Sequence, residues 1–257
     1  MSAPQTVVPG SVVVGYLDGG TWAACFGLSY RDLLLYDLTH EGRIVREGGT
    51  ELRAVTGSGG IPTNRNKVAR DFLDGTDGEW LFMVDSDMGF AADTVDRLVA
   101  AADPAERPVL GGLCFALKKS GTGEFYAERY RIQPTAYEFL DLGDEVGFRP
   151  VMDYPRDQVI AVAGTGAACV LIHRDALLAV REHHGGDVWF DPITHPTGDK
   201  GKPRTFSEDL SFCVRLAAAG VPLHLHTGVR TTHDKHGVFL DEETFDASRQ
   251  AAPGPSN

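Results

Sequence analysis

Asp85 and Asp87 stand one residue apart at the end of an apolar run, in residues 79–90, EWLFMVDSDMGF. In extended backbone, residues i and i+2 project to the same side, so the two carboxylates can face one cation. Hard oxygen ligands of this kind suit Mg²⁺ or Mn²⁺, which keep some waters and accept phosphate oxygens as further ligands. The same residues are also ordinary turn formers, and Asp87 can cap a following helix. A second acidic pair, Glu208 and Asp209 in SEDLSF, opens a predicted helix. Acids are favoured there by the helix dipole, and a carboxylate there can also serve as a general base toward a hydroxyl. His233, in TTHDKHG, can complete a metal shell begun by the aspartates or act as a simple hydrogen bonder. Arg65, Lys67 and Arg70, in NRNKVAR, form either a solvated helix face or a set of cations to meet a phosphate.

These side chains need a scaffold, and the sequence supplies strands alternating with helices. SVVVGYL (residues 11–17) reads as a buried strand and WAACFGLSYRDLLLYD as a helix. TELRAV then reads as a strand, IPTNRNKVARDFLDG as a helix and WLFMV as a strand. In AADTVDRLVAAAD, Val95, Leu98, Val99 and Ala102 recur at amphipathic-helix spacing. RPVLGGLCFA is a further strand, and AYEFLDLGDEVGFRPVMDY reads as a hairpin turning near LGDE. VIAVAGTGAACVLIHRDALLAV gives strand, bend, strand and helix. The stretch from Gly185 to Phe206 reads as a polar loop, either an ordinary surface loop or one able to close over a ligand with Trp189 and Phe190 stacking on it. In the helix SEDLSFCVRLAAAG the expected inner face is Leu210, Cys213, Val214 and Ala217, and VPLHLHTGVRTTHDKHGVF gives the last strand. The pattern predicts a mostly parallel central sheet flanked by helices. One domain is expected over residues 1–245, with 246–257 a disordered tail.

Composition narrows the function. The chain of 257 residues carries 36 acidic and 24 basic side chains, a formal charge of −12, which argues against a nucleic-acid partner. The four scattered cysteines read as buried thiols. No apolar run approaches the roughly 20 residues of a membrane span, and nothing resembles a signal peptide, so a soluble cytoplasmic protein is expected.

Taken in order, these pieces resemble the GT-A glycosyltransferases, most closely the soluble family-2-like enzymes, over about residues 12–239. The resemblance rests on Asp-x-Asp after an apolar strand, the GTGAACVLIHRDAL segment, the Glu-Asp helix start and the late histidine. It implies the GT-A (nucleotide-diphospho-sugar transferase) fold and transfer of one sugar from a nucleotide-diphosphate donor, UDP- or GDP-linked, to a hydroxyl of a glycan, protein or small molecule. By that resemblance Asp87 and His233 hold Mn²⁺ or Mg²⁺, with Asp85 on the metal or the ribose. Asp209 is the base of an inverting displacement, and Glu208 orients groups near the acceptor. Tyr16 and Asp18 hold the nucleoside, Arg65 and Lys67 lie near the nucleotide, and Gly164 and Gly166 flank the donor sugar. The first strand reads VVVGYLDGG, unlike the family's usual start, and the membrane helices of processive members are missing. A nucleotidyltransferase of related fold, a phosphatase with its own Asp-x-Asp, and a non-catalytic sugar- or nucleotide-binding protein are the competing readings.

Overall fold

The computed structural model describes residues 6–56, 59–122, 128–235 and 237–251. β1 (Val8–Asp18) is followed by α1 (Ala24–Thr39), β2 (Glu51–Val55), α2 (Gly60–Gly75) and β3 (Gly78–Val84). A short β4 (Met88–Phe90) leads through α3 (Thr94–Ala101) to β5 (Val109–Leu113), β6 (Phe115–Thr122) and β7 (Glu128–Pro134). The hairpin of β8 (Ala136–Asp141) and β9 (Val146–Pro150) precedes β10 (Val159–Ala161), β11 (Gly164–Thr165), β12 (Cys169–His173) and α4 (Arg174–His184). A second hairpin, β13 (Thr194–Asp199) and β14 (Lys202–Thr205), leads to α5 (Glu208–Ala218). The long β15 (Leu223–Lys235), β16 (Val238–Leu240) and α6 (Glu242–Ala251) complete the described chain.

The main sheet runs β10-β15-β5-β12-β3-β1-β2. β1 pairs in parallel with β2 and β3, and β5 with β15, while β12 and β10 run antiparallel to their neighbours. β1 is buried from Ser11 to Asp18 without alternation, because helices cover both faces. Val13, Leu81 and Met83 pack in one core with Val68 and Phe72 of α2, Leu177 of α4 and Phe212 of α5. Val12, Val14 and Phe82 pack in another with Phe26 and Tyr30 of α1 and Leu98 of α3. The alternation of strand side chains thus divides the core into two layers.

Three expectations change. The polar stretch before α5 contains the β13–β14 hairpin, and Trp189 and Phe190 are fully buried. Trp189 donates its indole N–H to the Leu177 carbonyl at 2.8 Å, and Phe190 stacks on Phe212 with ring centroids 4.6 Å apart. Neither ring is free to meet a sugar. That packing also rotates the inner face of α5: Phe212, Cys213 and Leu216 are buried, while Leu210 and Val214 are only half-buried and Ala217 is exposed. The segment before α5 thus supplies the apolar neighbour of Phe212, Cys213 and Leu216. Lastly, α6 runs through position 245 to Ala251, and Arg249 donates to the Met152 carbonyl at 3.1 Å, while the rest of the expected tail, 252–257, lies outside the described residues.

α2 ends without a basic residue in its last turn. Arg174, at the start of α4, supplies the missing cation. Its guanidinium donates to the carbonyls of Phe72, Leu73, Thr76 and Gly78 and lies 4.7 Å from the Phe72 ring centroid. A buried cation on the last carbonyls of α2 and the turn after it satisfies both hydrogen bonding and the helix dipole. Arg174→Ala should lower the unfolding free energy by roughly 3 kcal/mol, read as a fall in the urea midpoint. Arg174→Lys should recover only part of the loss, because an ammonium cannot span so many acceptors.

Candidate active site

β1, β2 and β3 run in the same direction, and a cavity of about 620 Å³ opens beyond their carboxyl ends. Leu17, Gly19 and Thr56 form its strand-end wall, Ile61 and Arg65 its α2 wall, and Asp85, Asp87 and Lys235 its acidic and basic floor. This is where open α/β sheets bind ligands. The entry into α2 turns at Gly59, whose φ of +94° places it in the left-handed region. A Cβ there would also meet the Thr63 side chain at 2.9 Å.

The turn delivers Arg65 into the interior, its side chain only 3% exposed. Nη2 donates to Asp85 Oδ1 at 2.9 Å and Oδ2 at 3.1 Å, and Nη1 reaches Glu208 Oε1 at 3.3 Å and Asp209 Oδ1. Burial alone would weaken the guanidinium's hold on its proton, but Asp209 and Asp85 outweigh it and keep Arg65 charged. Asp209 moves the other way. Burial, with Glu208 and Asp85 nearby, pushes its carboxyl up to about 6 against the opposing pull of Arg65 and the Ala167 N–H. About a quarter of the Asp209 side chain is still exposed.

Asp87 belongs to a different set of partners. β15 shifts register between His226 and Arg230, leaves β5 and pairs antiparallel with β4, setting His233 opposite Met88. His233 Nε2 then lies 3.1 Å from Asp87 Oδ2, and Lys235 Nζ 2.9 Å from the same oxygen. Burial would raise the Asp87 carboxyl, but the hydrogen bonds from His233 and Lys235 prevail and bring it down to about 2. Among the described residues Asp87 Oδ1 has no hydrogen-bond partner, though it is buried. The other imidazole nitrogen, Nδ1, meets the Phe115 carbonyl at 3.0 Å, which only an N–H satisfies. That contact orients the ring with Nε2 toward the Asp87 carboxylate, the way a backbone carbonyl orients a metal-binding histidine.

Among the described residues no three His, Cys, Asp or Glu side chains group as a metal cage. Asp85 is turned to Arg65 instead of Asp87. What fits a divalent cation is the pair Asp87 and His233, with the orphaned Asp87 oxygen beside them. Two protein ligands suffice where phosphate oxygens and water fill the remaining positions.

The other expected residues are placed as follows. Tyr16 is buried and donates to Glu51 Oε1 at 2.6 Å; burial and that bond hold its hydroxyl protonated well above the usual range. Its ring packs edge-on against Trp22 and does not line the cavity. Asp18 accepts from the Gly20 N–H at 2.8 Å and pairs with Arg53 Nε at 2.6 Å, fixing the loop after β1. Lys67 pairs with Asp71 on the exposed side of α2 and does not line the cavity. Gly166 lies beside the Asp209 carboxyl, where a Cβ would come within 3.8 Å of Oδ2. Gly164 lets α5 and the β8–β9 hairpin close together, since a Cβ would stand 2.8 Å from Phe148 and 3.1 Å from Leu210. Two residues escaped the sequence reading. Lys235 shares the side of β15 that carries His233, and its i+2 spacing was a usable signal. Asn66, next to Arg65, accepts from the Phe190 N–H and donates to Asp191, each at 2.7 Å, which ties the buried Trp189–Phe190 segment to α2.

No protein-family model and no curated protein matches this sequence. Solved structures show its fold. A197 from STIV is similar at a TM-score of 0.50 and 14% identity, with 91% of each chain covered. GalNAc-T7, solved with UDP, GalNAc and Mn²⁺, is similar at a TM-score of 0.53 and 11% identity. That match covers 88% of this chain and 44% of GalNAc-T7, so the chain spans less than half of the larger protein. The architecture is the GT-A fold, a mostly parallel sheet covered by helices on both faces.

Among the described residues Arg65 is the cation paired with Asp85, Glu208 and Asp209, so its removal exposes their mutual repulsion. Arg65→Met should cost about 3 kcal/mol at neutral pH. Without the guanidinium, Asp209 holds its proton more tightly in the folded than in the unfolded chain. The folded state then gains stability as pH falls toward 5, the reverse of a carboxylate held low by a partner. Urea unfolding of the variant at pH 7 and pH 5 should show the recovery.

Proposed function

We propose that this protein is a metal-dependent glycosyltransferase that moves one sugar from a nucleotide-diphosphate donor, UDP- or GDP-linked, to a hydroxyl of a glycan, protein or small molecule. The observation that carries the reading is the relation of two acidic centres. Asp209, a base tuned to about 6, is tied through Arg65 to Asp85 at the edge of a strand-end cavity, and Asp87, which pairs with His233 behind it, lies in the floor of that cavity. A Mn²⁺ or Mg²⁺ ion on Asp87 and His233 would supply charge neutralisation for the departing diphosphate.

Asp209 takes the proton from the acceptor hydroxyl as its oxygen bonds to the anomeric carbon, and the bond from that carbon to the diphosphate oxygen breaks on the opposite face. The product is inverted. Arg65 is a positioning residue: it fixes the Asp209 carboxyl and neutralises Asp85 without being a proton donor itself. Glu208 is the residue we assign to orienting the acceptor. We assign the nucleoside to Thr21, Thr56 and the backbone around Gly19, which line the cavity, with Asp18 supporting that loop from behind. Four free thiols, three of them buried, support a reducing compartment such as the cytoplasm. No helix among the described residues is long and apolar enough to cross a membrane. The direct contact between Arg65 and Asp209 favours one alternative, a protein that binds the nucleotide sugar without transferring it.

The first test is titration of UDP and GDP with and without Mn²⁺. One nucleotide should bind in a metal-dependent way, and Asp87→Asn should weaken it at least about tenfold. Lys235→Met should raise the affinity for Mn²⁺ measured without nucleotide, because it removes the ammonium that competes for Asp87 Oδ2. Binding of no nucleotide in any condition would sink the proposal. Where transfer is detected, kcat/KM should rise with pH through about 6 as Asp209 loses its proton. Asp209→Asn should abolish that limb and cut turnover by about a thousandfold while leaving nucleotide binding intact. A wild type that binds but never transfers would support the binding protein.

A further inference from the structure

α1 is a helix with an apolar row facing water. Phe26, Tyr30 and Leu33 point into the core, as expected of an inner face. The outward residues Ala24, Leu28, Arg31, Leu35 and Leu38 follow one another at spacings of four, three, four and three, the rhythm of a coiled-coil seam. Leu28, Leu35 and Leu38 are 53%, 57% and 47% exposed. Scattered exposed leucines are ordinary, but a helix whose outer face is as apolar as its inner one is a helix covered on both sides.

We propose that the outer face of α1 is the interface of a two-fold dimer, packed antiparallel on the same helix of a second copy of this chain. The charges along the row select that occupant. A two-fold axis passing between Arg31 and Asp32 sets Leu28 of one copy opposite Leu35 of the other, and Arg31 opposite Asp32, on both sides of the axis. Within one chain, Arg31 donates to its own Asp32 at 2.7 and 2.9 Å, and both side chains are about half exposed and free to be shared. Parallel packing in register would instead bring Arg31 against Arg31. The self-complementary pattern is what an isologous contact requires. An anionic lipid surface is disfavoured by the chain's formal charge of −12.

Sedimentation velocity of the full chain over about a hundredfold range of concentration tests the interface. The wild type should reach the mass of two chains, and Leu35→Glu should remain a single chain throughout. Arg31→Asp should weaken the dimer at least about tenfold, and the double swap Arg31→Asp/Asp32→Arg should restore it. All three positions are on the surface, so the variants should keep the wild-type far-UV spectrum and thermal midpoint of the single chain, which separates lost association from lost folding. A wild type that stays a single chain at every concentration overturns the proposal, as does a dimer indifferent to Leu35→Glu. Failure of the double swap to recover what the single swap loses overturns the antiparallel alignment, and with it the proposal. A single-chain wild type that floats with uncharged phosphatidylcholine vesicles would assign the face to a membrane instead.

Discussion

The site depends on one buried cation. Arg65 brings together Asp85 from the end of β3 and Glu208 and Asp209 from the start of α5, the latter pair more than 140 residues away in sequence. Three carboxylates at this spacing cannot all be ionised in a low-dielectric interior without a compensating charge. The guanidinium is therefore the structural condition for assembling them. Even with that charge beside it, burial and the neighbouring Glu208 and Asp85 raise the Asp209 carboxyl to about 6.

Around that cation the fold is arranged as a set of supports. Arg174 closes the carboxyl end of α2, and Asn66 locks the segment carrying Trp189 and Phe190 to the same helix. Arg65 lies 5.8 Å from the Phe190 ring centroid, so the rings that fill the interior also wall the guanidinium from water. The second centre, Asp87 with His233 and Lys235, depends on β15 leaving the main sheet for β4. Had β15 continued beside β5, His233 would lie on a different strand pair and Asp87 would keep no imidazole.

The predictions for Arg65 and Asp209 rest on contacts that the sequence did not announce. The elements did announce themselves: the apolar run ending at Val84, the amphipathic spacing in α3, and the hairpin turning near Gly143 all form where pattern and turn residues place them. Trp189 and Phe190 are the clearest loss. Surrounded by Gly, Asp, Pro, His and Lys, two aromatics in a polar stretch carry no periodicity, and only the gap between α4 and α5 makes them core residues. α6 was missed for a similar reason: EETFDASRQA has a narrow apolar side, and Phe245 buries against Phe115 at 5.3 Å only because β6 is there to receive it.

By itself the sequence determined that carboxylates stand at the mouth of a buried strand and at the start of a late helix, that a histidine follows on the last long strand, and that the sheet between them is mostly parallel. These follow from local periodicity and from composition, which act over a few residues at a time. Only the tertiary structure decided that Asp85 turns to Arg65 while Asp87 turns to His233 and Lys235. Alternation fixes the side of a strand on which a side chain emerges, but its partner is set by strand order and by the register shift in β15. Which carboxylate is compensated by which cation, and hence which one is free to hold a proton near neutral pH, is a property of contacts distant in sequence.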